Sequence, residues 1–590
     1  MRSFAPPAAR ECEVKAMMTI PGGPSSDGDL IVEKDVPIPM SDGHVLCCNI
    51  FRPRHVSGKV PPILAFTPYG KDSDVAVDFK RYWDIVLRDH PEIVRGDSDG
   101  RYLTWEIPDP QRWIPDGYAI VVIDARGTGK SPGFYEMMSP LQTRDFYDAI
   151  EWAGVQPWSN GKVGLLGVSY LAVKQWQVAA LQPPHLAAMI PWEGLFDHYR
   201  DFYRHGGIFS SAFLKLLWDT QIAVNQNGNG TSPYRDRFTG ERSTGPEINP
   251  KLLPGNLSNV YSAGQQHPFD DAYFKLRTPV AARIKTPFLS AGNWGGLGLH
   301  LRGNITGFTE AASPEKWLEL HTDTHFASMY LPQAVALQKR FFDYFLKGKN
   351  NGFHNEPPVQ LTIRDPRGHY RRKADTWPLP RTRWDNFYLD ATTMTMSTDR
   401  PASPSSTAYR ALEDEIIFLT APFAADSEFT GPGAAKLFVS SSTTDMDIFV
   451  TLRAFDPDGT EVVFTGANDP KAPVSQGWLR ASQRKIDPAR STPYRPYHPH
   501  DDSAKLRPEE VYEVDVEIWP TSIVCPAGYR LGLTIGGKDF ERPGTKGLMK
   551  GSGLFLHNDS ADRPAAEFGG VNRIHTGADR QSRVVLPYIA

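Results

Sequence analysis

The chain has 590 residues with 40% hydrophobic and 11% aromatic content, enough for sizeable cores in two or three domains, which excludes a disordered scaffold. Its net charge of −4, without any basic block, argues against a nucleic-acid partner. No apolar run approaches membrane-spanning length, and the lead-in, residues 1–30, lacks the apolar core of a signal peptide. We therefore expect a cytoplasmic protein with no membrane partner.

The first part of the chain is predicted to alternate strands with helices. In chain order, its elements are a hairpin at 31–51 with its turn at Asp42-Gly43, a strand at 62–70, an aromatic-rich insertion at 72–109, a strand at 117–124 and a helix at 143–152. Parallel strands joined by helices place functional groups at the carboxyl ends of the strands.

The stretch 162–176 predicts a nucleophile elbow, which is a serine on a sharp turn between a buried strand and a helix. The turn exposes the hydroxyl of Ser169, and Gly167 suits it because strand and helix cross too closely there for a side chain. The backbone N–H of Tyr170 lies at the positive end of the new helix, where it can donate to a developing oxyanion. A Gly-x-Ser sequence alone is a weak signal, but its strand-helix context strengthens it.

The rest of the chain predicts the completion of this domain and a second one. In chain order, we expect a strand at 185–193, an irregular and partly helical insertion at 194–285, strands at 286–292 and 316–320, a helix at 332–346, a linker near 350–358, and short alternating strands typical of a β-sandwich beyond it.

Several motifs of this sequence resemble the CocE/NonD family, the cocaine esterase and X-prolyl dipeptidyl peptidase group of serine hydrolases. They are the elbow Gly167-Val-Ser-Tyr-Leu171, the pattern Asp124-x-Arg-Gly-x-Gly-x-Ser-x-Gly133, and, in the second half, Asp445-Met-Asp447 and Gly477-Trp-Leu-Arg480. The resemblance implies an α/β-hydrolase domain (31–193 and 286–355), an inserted helical cap (194–285) and an all-β jelly-roll domain (356–590).

The resemblance also implies roles for single residues. Ser169 matches the nucleophile, His325 the general base, and Tyr69 the tyrosine whose hydroxyl joins the Tyr170 N–H in the oxyanion hole. His321, four residues earlier, is the alternative base if the alignment with the family is shifted. The spacing of His321 and His325 suits a metal only on a helix, and it straddles a strand end here, so we expect no metal.

The acid of the triad departs from the family pattern. The family places an aspartate where this chain has Gly295, which cannot orient a histidine. Glu193, at the end of the preceding strand, is the preferred candidate because it keeps the chain order of nucleophile, acid and base. Asp197 and Asp323 are the alternatives.

These assignments predict a serine hydrolase that cleaves an ester or activated amide of a small organic molecule through an acyl-enzyme, without a cofactor. An X-prolyl dipeptidyl peptidase is an alternative, although the sequence shows no carboxylate cluster that would bind a substrate amine. Acyl transfer, C–C or lactone cleavage on the same scaffold, and a non-catalytic binding protein remain further alternatives. The substrate and the oligomeric state, with a homo-oligomer among the options, are not determined by the sequence.

Overall fold

Two large β-sheets dominate the chain, whose computed structural model describes residues 17–19, 30–55, 58–542 and 555–590. The predicted lead-in, residues 1–30, lies mostly outside the described residues. The first described sheet has eleven strands: β1 (Met17–Thr19), β2 (Leu30–Pro39), β3 (Val45–Pro53), β4 (Pro62–Thr67), β5 (Ala119–Asp124), β6 (Val163–Val168), β7 (Leu186–Trp192), β10 (Phe288–Asn293), β11 (Lys316–His321), β12 (Val359–Ile363) and β13 (Tyr370–Ala374).

Helices connect and cover the strands of this first sheet. They are α1 (Val75–Asp78), α2 (Lys80–Asp89), α3 (Pro110–Trp113), α4 (Pro140–Gly154), α5 (Tyr170–Ala179), α9 (Leu301–Glu310) and α10 (Pro332–Lys347). Their ends follow local chemistry. The Ser139 side chain caps α4 by accepting from the Gln142 N–H, and Pro140 occupies the first helical position, where no N–H is needed. Gly348 ends α10 in the left-handed conformation that glycine adopts readily.

The strand order of the first sheet is β1-β2-β3-β5-β4-β6-β7-β10-β11-β12-β13. The strands from β5 to β12 in this order run parallel, whereas the outer pairs on both sides are antiparallel. The central parallel strands are buried along their length, as expected for a sheet covered by helices on both faces. Their carboxyl ends therefore lie together at one edge, where loops can carry function.

Two further strands continue this sheet past residue 355, where the sequence predicts the end of the first domain. β12 pairs in parallel with β11, and β13 returns antiparallel to β12. The apolar side chains of β12, Val359, Leu361 and Ile363, are buried in the hydrophobic core of the first sheet.

The insertion 194–285 has little regular structure among its described residues. Its elements are the two-stranded pair β8 (Arg204–His205) and β9 (Ile208–Phe209) and the helices α6 (Ser211–Leu217), α7 (Val260–Gln266) and α8 (Ala272–Lys275). The irregular and partly helical pattern expected from the sequence is therefore observed.

The second sheet forms a separate hydrophobic core beyond residue 381. Its twelve described strands are β14 (Thr382–Asp390), β15 (Thr395–Ser397), β16 (Ser405–Arg410), β17 (Glu415–Leu419), β18 (Ser427–Ser441), β19 (Asp447–Phe455), β20 (Glu461–Val462), β21 (Ser475–Arg480), β22 (Tyr512–Cys525), β23 (Arg530–Gly536), β24 (Val571–Thr576) and β25 (Arg583–Ile589), and a short helix, α11 (Ala565–Phe568), precedes β24. β18 pairs with β22, β24 and β25, so the sheet folds back on itself. The strand-rich character predicted for this region is confirmed.

Within the described part of the chain, none of the helices combines the length and the apolar character needed to cross a membrane.

Candidate active site

Ser169 lies on a strained turn between β6 and α5. Its backbone has φ 57° and ψ −118°, a conformation rare for a residue with a side chain and common at functional sites. A Cβ atom at Gly167 would lie 2.6 Å from the Leu171 Cβ, so only glycine fits there. The Ser169 N–H donates to the Trp192 and Glu193 carbonyls, which ties the turn to the end of β7.

Neighbouring strands deliver the other predicted site residues to the same edge. In sheet order, Tyr69 follows β4, Ser169 follows β6, Glu193 follows β7, and His325 lies in the loop after β11. The loop after β10, which lies between β7 and β11, carries Gly295. These residues are up to 256 positions apart in the sequence. They lie together because the carboxyl ends of parallel strands meet at one edge of the sheet.

Glu193 is fully buried and binds His325. Its Oε2 accepts from His325 Nδ1 at 2.8 Å, and its Oε1 accepts from His321 Nε2 at 2.9 Å and Ser328 Oγ at 2.7 Å. Burial pushes the pKa of Glu193 upward, but the two histidines hold it well below its usual range. Glu193 is therefore an ionised carboxylate that fixes the orientation of the His325 ring.

The other nitrogen of His325 contacts a second carboxylate rather than Ser169. His325 Nε2 lies 3.1 Å from Glu106 Oε1. Burial lowers the pKa of His325, but the carboxylates of Glu193 and Glu106 outweigh it and raise the pKa to about 10. At neutral pH the ring is accordingly an imidazolium between two carboxylates.

Glu106 belongs to the aromatic-rich insertion 72–109, but the sequence does not single it out. Its backbone has φ 65°, and its carbonyl accepts from the Val168 N–H at the end of β6. Burial raises the pKa of its carboxyl group. Its second oxygen, Oε2, has no hydrogen-bond partner of good geometry among the described residues. The one feature of the sequence that could have drawn attention to Glu106 is that it is a single carboxylate between two apolar residues, Trp105 and Ile107.

His300 is a second residue that the sequence does not single out. Its Nε2 lies 3.1 Å from Ser169 Oγ, and its ring stacks on that of His325 with centroids 5.1 Å apart and an interplanar angle of 13°. Burial, followed by the nearby His325, holds the pKa of His300 well below its usual value. The one feature that could have drawn attention to His300 is its position directly before α9, at the end of the glycine-rich loop that follows β10.

Tyr69 and Tyr170 flank Ser169. The Tyr69 side chain is buried, and its hydroxyl lies within hydrogen-bonding reach of the Ser169 side chain. Burial raises the pKa of this hydroxyl well above its usual value. Tyr170 is the first residue of α5, where backbone N–H groups lack helical acceptors. The Tyr170 hydroxyl donates to Gln142 Oε1 at 2.6 Å, so its side chain is engaged away from the oxyanion position.

The alternative acids and the alternative base have other partners. Asp197 pairs with Arg200, and its pKa falls to about 2 because this cation outweighs burial. Asp323 contacts His90 at 3.0 Å. His321 lies between Glu319 and Glu193, whose carboxylates outweigh burial and raise its pKa to about 9. None of the three has a described hydrogen bond to Ser169 or to the His325 ring.

Gly295 is packed directly against the second domain. A Cβ at this position would lie 2.1 Å from the Gly466 Cα, and the Ala467 N–H donates to the Gly295 carbonyl at 3.3 Å. Ala467 also contacts the predicted base, since the His325 N–H donates to the Ala467 carbonyl at 2.9 Å. A side chain at position 295 would collide with the Gly466 backbone unless the two domains moved apart.

A pocket opens onto Ser169. Its polar wall is formed by Tyr69, Glu106, Ser169, His300 and His325. Its other lining residues are Tyr82, Trp105, Phe213, Leu216, Leu217, Gln221, Leu299, Phe326 and Asn468. The first domain, the insertion 194–285 and the second domain therefore all contribute to it, and its apolar walls suit a small organic molecule.

Glu193, His300 and His325 are the described residues closest to a metal-binding arrangement. One donor atom of each lies within 4.8 Å of the others. Carboxylate and imidazole donors suit zinc, but Glu193 and His325 bind each other and His300 contacts Ser169. The three side chains are thus arranged around the serine by hydrogen bonds.

Comparisons with known proteins agree with this architecture. Residues 42–327 match the X-Pro dipeptidyl-peptidase (S15 family), and residues 351–585 match the X-Pro dipeptidyl-peptidase C-terminal non-catalytic domain. The first part is thus the catalytic domain and the second a non-catalytic domain. The cocaine esterase of Rhodococcus sp. (strain MB1 Bresler) is 26% identical over 95% of this chain and 99% of its own length.

Solved structures give the same assignment. A CocE/NonD family hydrolase from Staphylococcus aureus is 33% identical and superposes with a TM-score of 0.82, covering 95% of this chain and 94% of the other. An α-amino acid ester hydrolase, 16% identical, shares the fold over the full length of both chains with a TM-score of 0.67. The serine hydrolase predicted from the sequence is confirmed by these relatives, and the chain belongs to the CocE/NonD family of hydrolases.

Proposed function

We propose that the chain is a serine esterase that cleaves a carboxylic ester of a small organic molecule through an acyl-enzyme. Ser169 is the nucleophile, His325 the general base and Glu193 the acid of the triad. The observation that carries the proposal is the 2.8 Å hydrogen bond between His325 Nδ1 and Glu193 Oε2, at the same edge of the sheet as Ser169. The similarity to a cocaine esterase supports an ester substrate.

Acylation begins when Ser169 Oγ attacks the ester carbonyl carbon and its proton moves to His325 Nε2. The same nitrogen then gives the proton to the departing alkoxide, and the acyl group stays on Oγ. In the second half, water attacks the acyl-enzyme with His325 again as base, and Ser169 regains its proton. Glu193 stays ionised and stabilises the imidazolium in both halves.

The oxyanion of each tetrahedral intermediate needs two donors. The Tyr69 hydroxyl and the Tyr170 backbone N–H supply them in this proposal. A phenol whose pKa is well above its usual range stays protonated throughout and donates without adding charge.

Catalysis requires a change at His325. Its Nε2 is engaged by Glu106, and the ring carries an extra proton at neutral pH. Before it can accept the proton of Ser169, His325 has to lose that proton and release Glu106. Substrate binding beside Glu106 in the shared pocket is a natural trigger, since it changes the surroundings of both groups.

The wider architecture is part of the proposal. The insertion 194–285 acts as a cap, because Phe213, Leu216 and Leu217 lie over the pocket. The second domain is a jelly roll, which is consistent with its antiparallel strands and its folded-back sheet. We retain the domain limits predicted from the sequence, 31–193 with 286–355, 194–285 and 356–590, except that β12 and β13 extend the first sheet to Ala374.

A second candidate function, cleavage of an amine-bearing ester or an X-prolyl amide, is favoured by Glu106. Its side chain lines a pocket rich in aromatic residues, including Tyr82 and Trp105. A buried carboxylate beside aromatic rings suits a protonated amine, through an ion pair and cation–π contacts. Comparing kcat/KM for p-nitrophenyl acetate, an aminoacyl p-nitrophenyl ester and an X-prolyl p-nitroanilide separates the candidates. Preference for the neutral ester supports the main proposal.

The main proposal is tested by fluorophosphonate labelling with intact mass and peptide mapping. We expect one adduct, on Ser169, and none in Ser169→Ala. If the wild-type protein is folded and gives no adduct, the chain is better interpreted as a non-catalytic binding protein. Product analysis with an added alcohol distinguishes hydrolysis from acyl transfer, and lactone substrates test the remaining alternative.

A further inference from the structure

We propose that His300 is a further catalytic residue, which donates a hydrogen bond from Nε2 to Ser169 Oγ and stabilises the negative charge that develops during attack. The proposal rests on the proposed function of Ser169, His325 and Glu193 and adds a fourth side chain to it.

The geometry around His300 leaves it a single polar contact. Its ring is buried, and Nε2 lies 3.1 Å from Ser169 Oγ. Its Nδ1 has no hydrogen-bond partner among the described residues. The ring also lines the pocket together with Tyr69 and Ser169, so it lies on the side from which a substrate reaches the nucleophile.

The surroundings determine how many protons His300 carries. It is buried and stacks on the His325 ring, which holds positive charge between Glu193 and Glu106. A second imidazolium at this distance would be repelled, in agreement with the lowered pKa of His300. His300 is therefore neutral and has one N–H and one lone pair.

The contacts also determine which nitrogen holds the proton. A proton on Nδ1 would leave a buried N–H without an acceptor, and such orphaned donors are rarer in proteins than unpaired acceptors. The proton consequently lies on Nε2 and is donated to Ser169 Oγ. In that state the Nε2 lone pair is not free, so the proton of Ser169 goes to His325 and not to His300.

This donor acts where charge develops. Oγ becomes more negative as its proton leaves, and an N–H already in place strengthens its bond without reorganisation. A neutral imidazole with a lowered pKa is suited to this task because it polarises without taking up a proton. Removing one preorganised donor to a carbonyl oxyanion reduces kcat by about 100-fold or more, and we expect a loss of the same order when the donor to Oγ is removed.

Three substitutions of His300 test the proposal in the full-length protein. Gln places an amide N–H near the position of Nε2, Asn places one near Nδ1, and Leu places none. We measure kcat/KM for p-nitrophenyl acetate, its pH profile and the melting temperature. We expect His300→Gln to keep activity within about tenfold of wild type with an unshifted acid limb, and His300→Asn and His300→Leu to lose about 100-fold.

Two outcomes would overturn the proposal. If His300→Gln is as inactive as His325→Gln while its melting temperature is unchanged, His300 is a base and not a donor. If His300→Leu stays within threefold of wild type, His300 has no catalytic role. Failure of the underlying function is distinguishable, since the wild type would then be inactive and unlabelled by the fluorophosphonate, or Ser169→Ala would remain active, whatever the pattern at His300.

Discussion

His325 donates from Nδ1 to Glu193 Oε2 across 2.8 Å, although 132 residues separate them in the chain. The pairing is possible because Glu193 ends β7 and His325 follows β11, with only β10 between those strands. The position after β10 is unavailable to an acid, since Gly295 packs against Gly466. The adjacent strand supplies the carboxylate instead.

Removing the charge of Glu193 should abolish most of the activity. In Glu193→Gln the amide no longer stabilises the imidazolium, and we expect kcat to fall by about 10⁴-fold. The measurement is the rate of p-nitrophenyl ester hydrolysis together with the rate of fluorophosphonate labelling.

Glu319→Gln is the matched control for that variant. Glu319 is also a buried strand-end carboxylate, but it binds His321 and Arg371 instead of His325. We expect its kcat within about tenfold of wild type; equal losses in both variants would contradict a triad role for Glu193.

The pH profile should report the carboxylate pair around His325. His325 is active as the neutral form, and its pKa is raised to about 10, so kcat/KM should rise with pH toward that value. Glu106→Gln removes one of the two stabilising carboxylates. Its acid limb should therefore move to lower pH by about one unit or more, which raises activity at pH 7.

Glu319→Gln again serves as the control for the pH profile, because it should leave the acid limb in place. An acid limb that stays fixed, or moves to higher pH, in Glu106→Gln would show that Glu106 does not stabilise the protonated base.

The hydroxyl of Tyr69 should matter and that of Tyr170 should not. Tyr69→Phe removes a proposed oxyanion donor, and we expect kcat to fall by about 100-fold with little change in KM. Tyr170→Phe keeps the backbone N–H and loses hydroxyl contacts with residues other than Ser169, among them Gln142, so its kcat should stay within a few-fold of wild type. Similar losses in the two variants, measured by steady-state kinetics, would exclude the tyrosine hydroxyl from the hole.

Restoring the family acid at position 295 should damage the protein. The Asp side chain of Gly295→Asp would collide with the Gly466 backbone, and we expect the free energy of unfolding to fall by about 1–3 kcal/mol or more. Gly255→Asp is the control, because no atom lies within 4 Å of a Cβ there. Chemical denaturation compares the two, and a stable, active Gly295→Asp would refute this packing argument.

Metal removal should leave activity unchanged. Glu193 and His325 bind each other, and the proposed chemistry needs only protein groups. Dialysis against EDTA followed by metal analysis and kinetics tests this expectation. A loss of activity restored by zinc would assign Glu193, His300 and His325 to a metal instead.

Local sequence predicts some parts of this site much better than others. The elbow at Ser169 is a local pattern, since the strand, the glycine and the helix are adjacent in sequence. The strand alternation also places Glu193 at a strand end near the serine. His300 and Glu106 have no such pattern, because their partners lie 131 and 219 residues away. Their contacts depend on side-chain packing between loops, which periodicity does not encode.

The loop of the second domain that contacts Gly295 and His325 has an evolutionary consequence. The Ala467 carbonyl holds the backbone of the proposed base, and Gly466 fits only against a residue without a side chain. Residue 295 and residues 466–467 contact each other, so substitutions on one side require matching substitutions on the other. Exchanging the second domain for that of a relative would combine two sides that do not match. Recombination between relatives should therefore yield active chimeras only when residues 295 and 466–467 are inherited from the same parent.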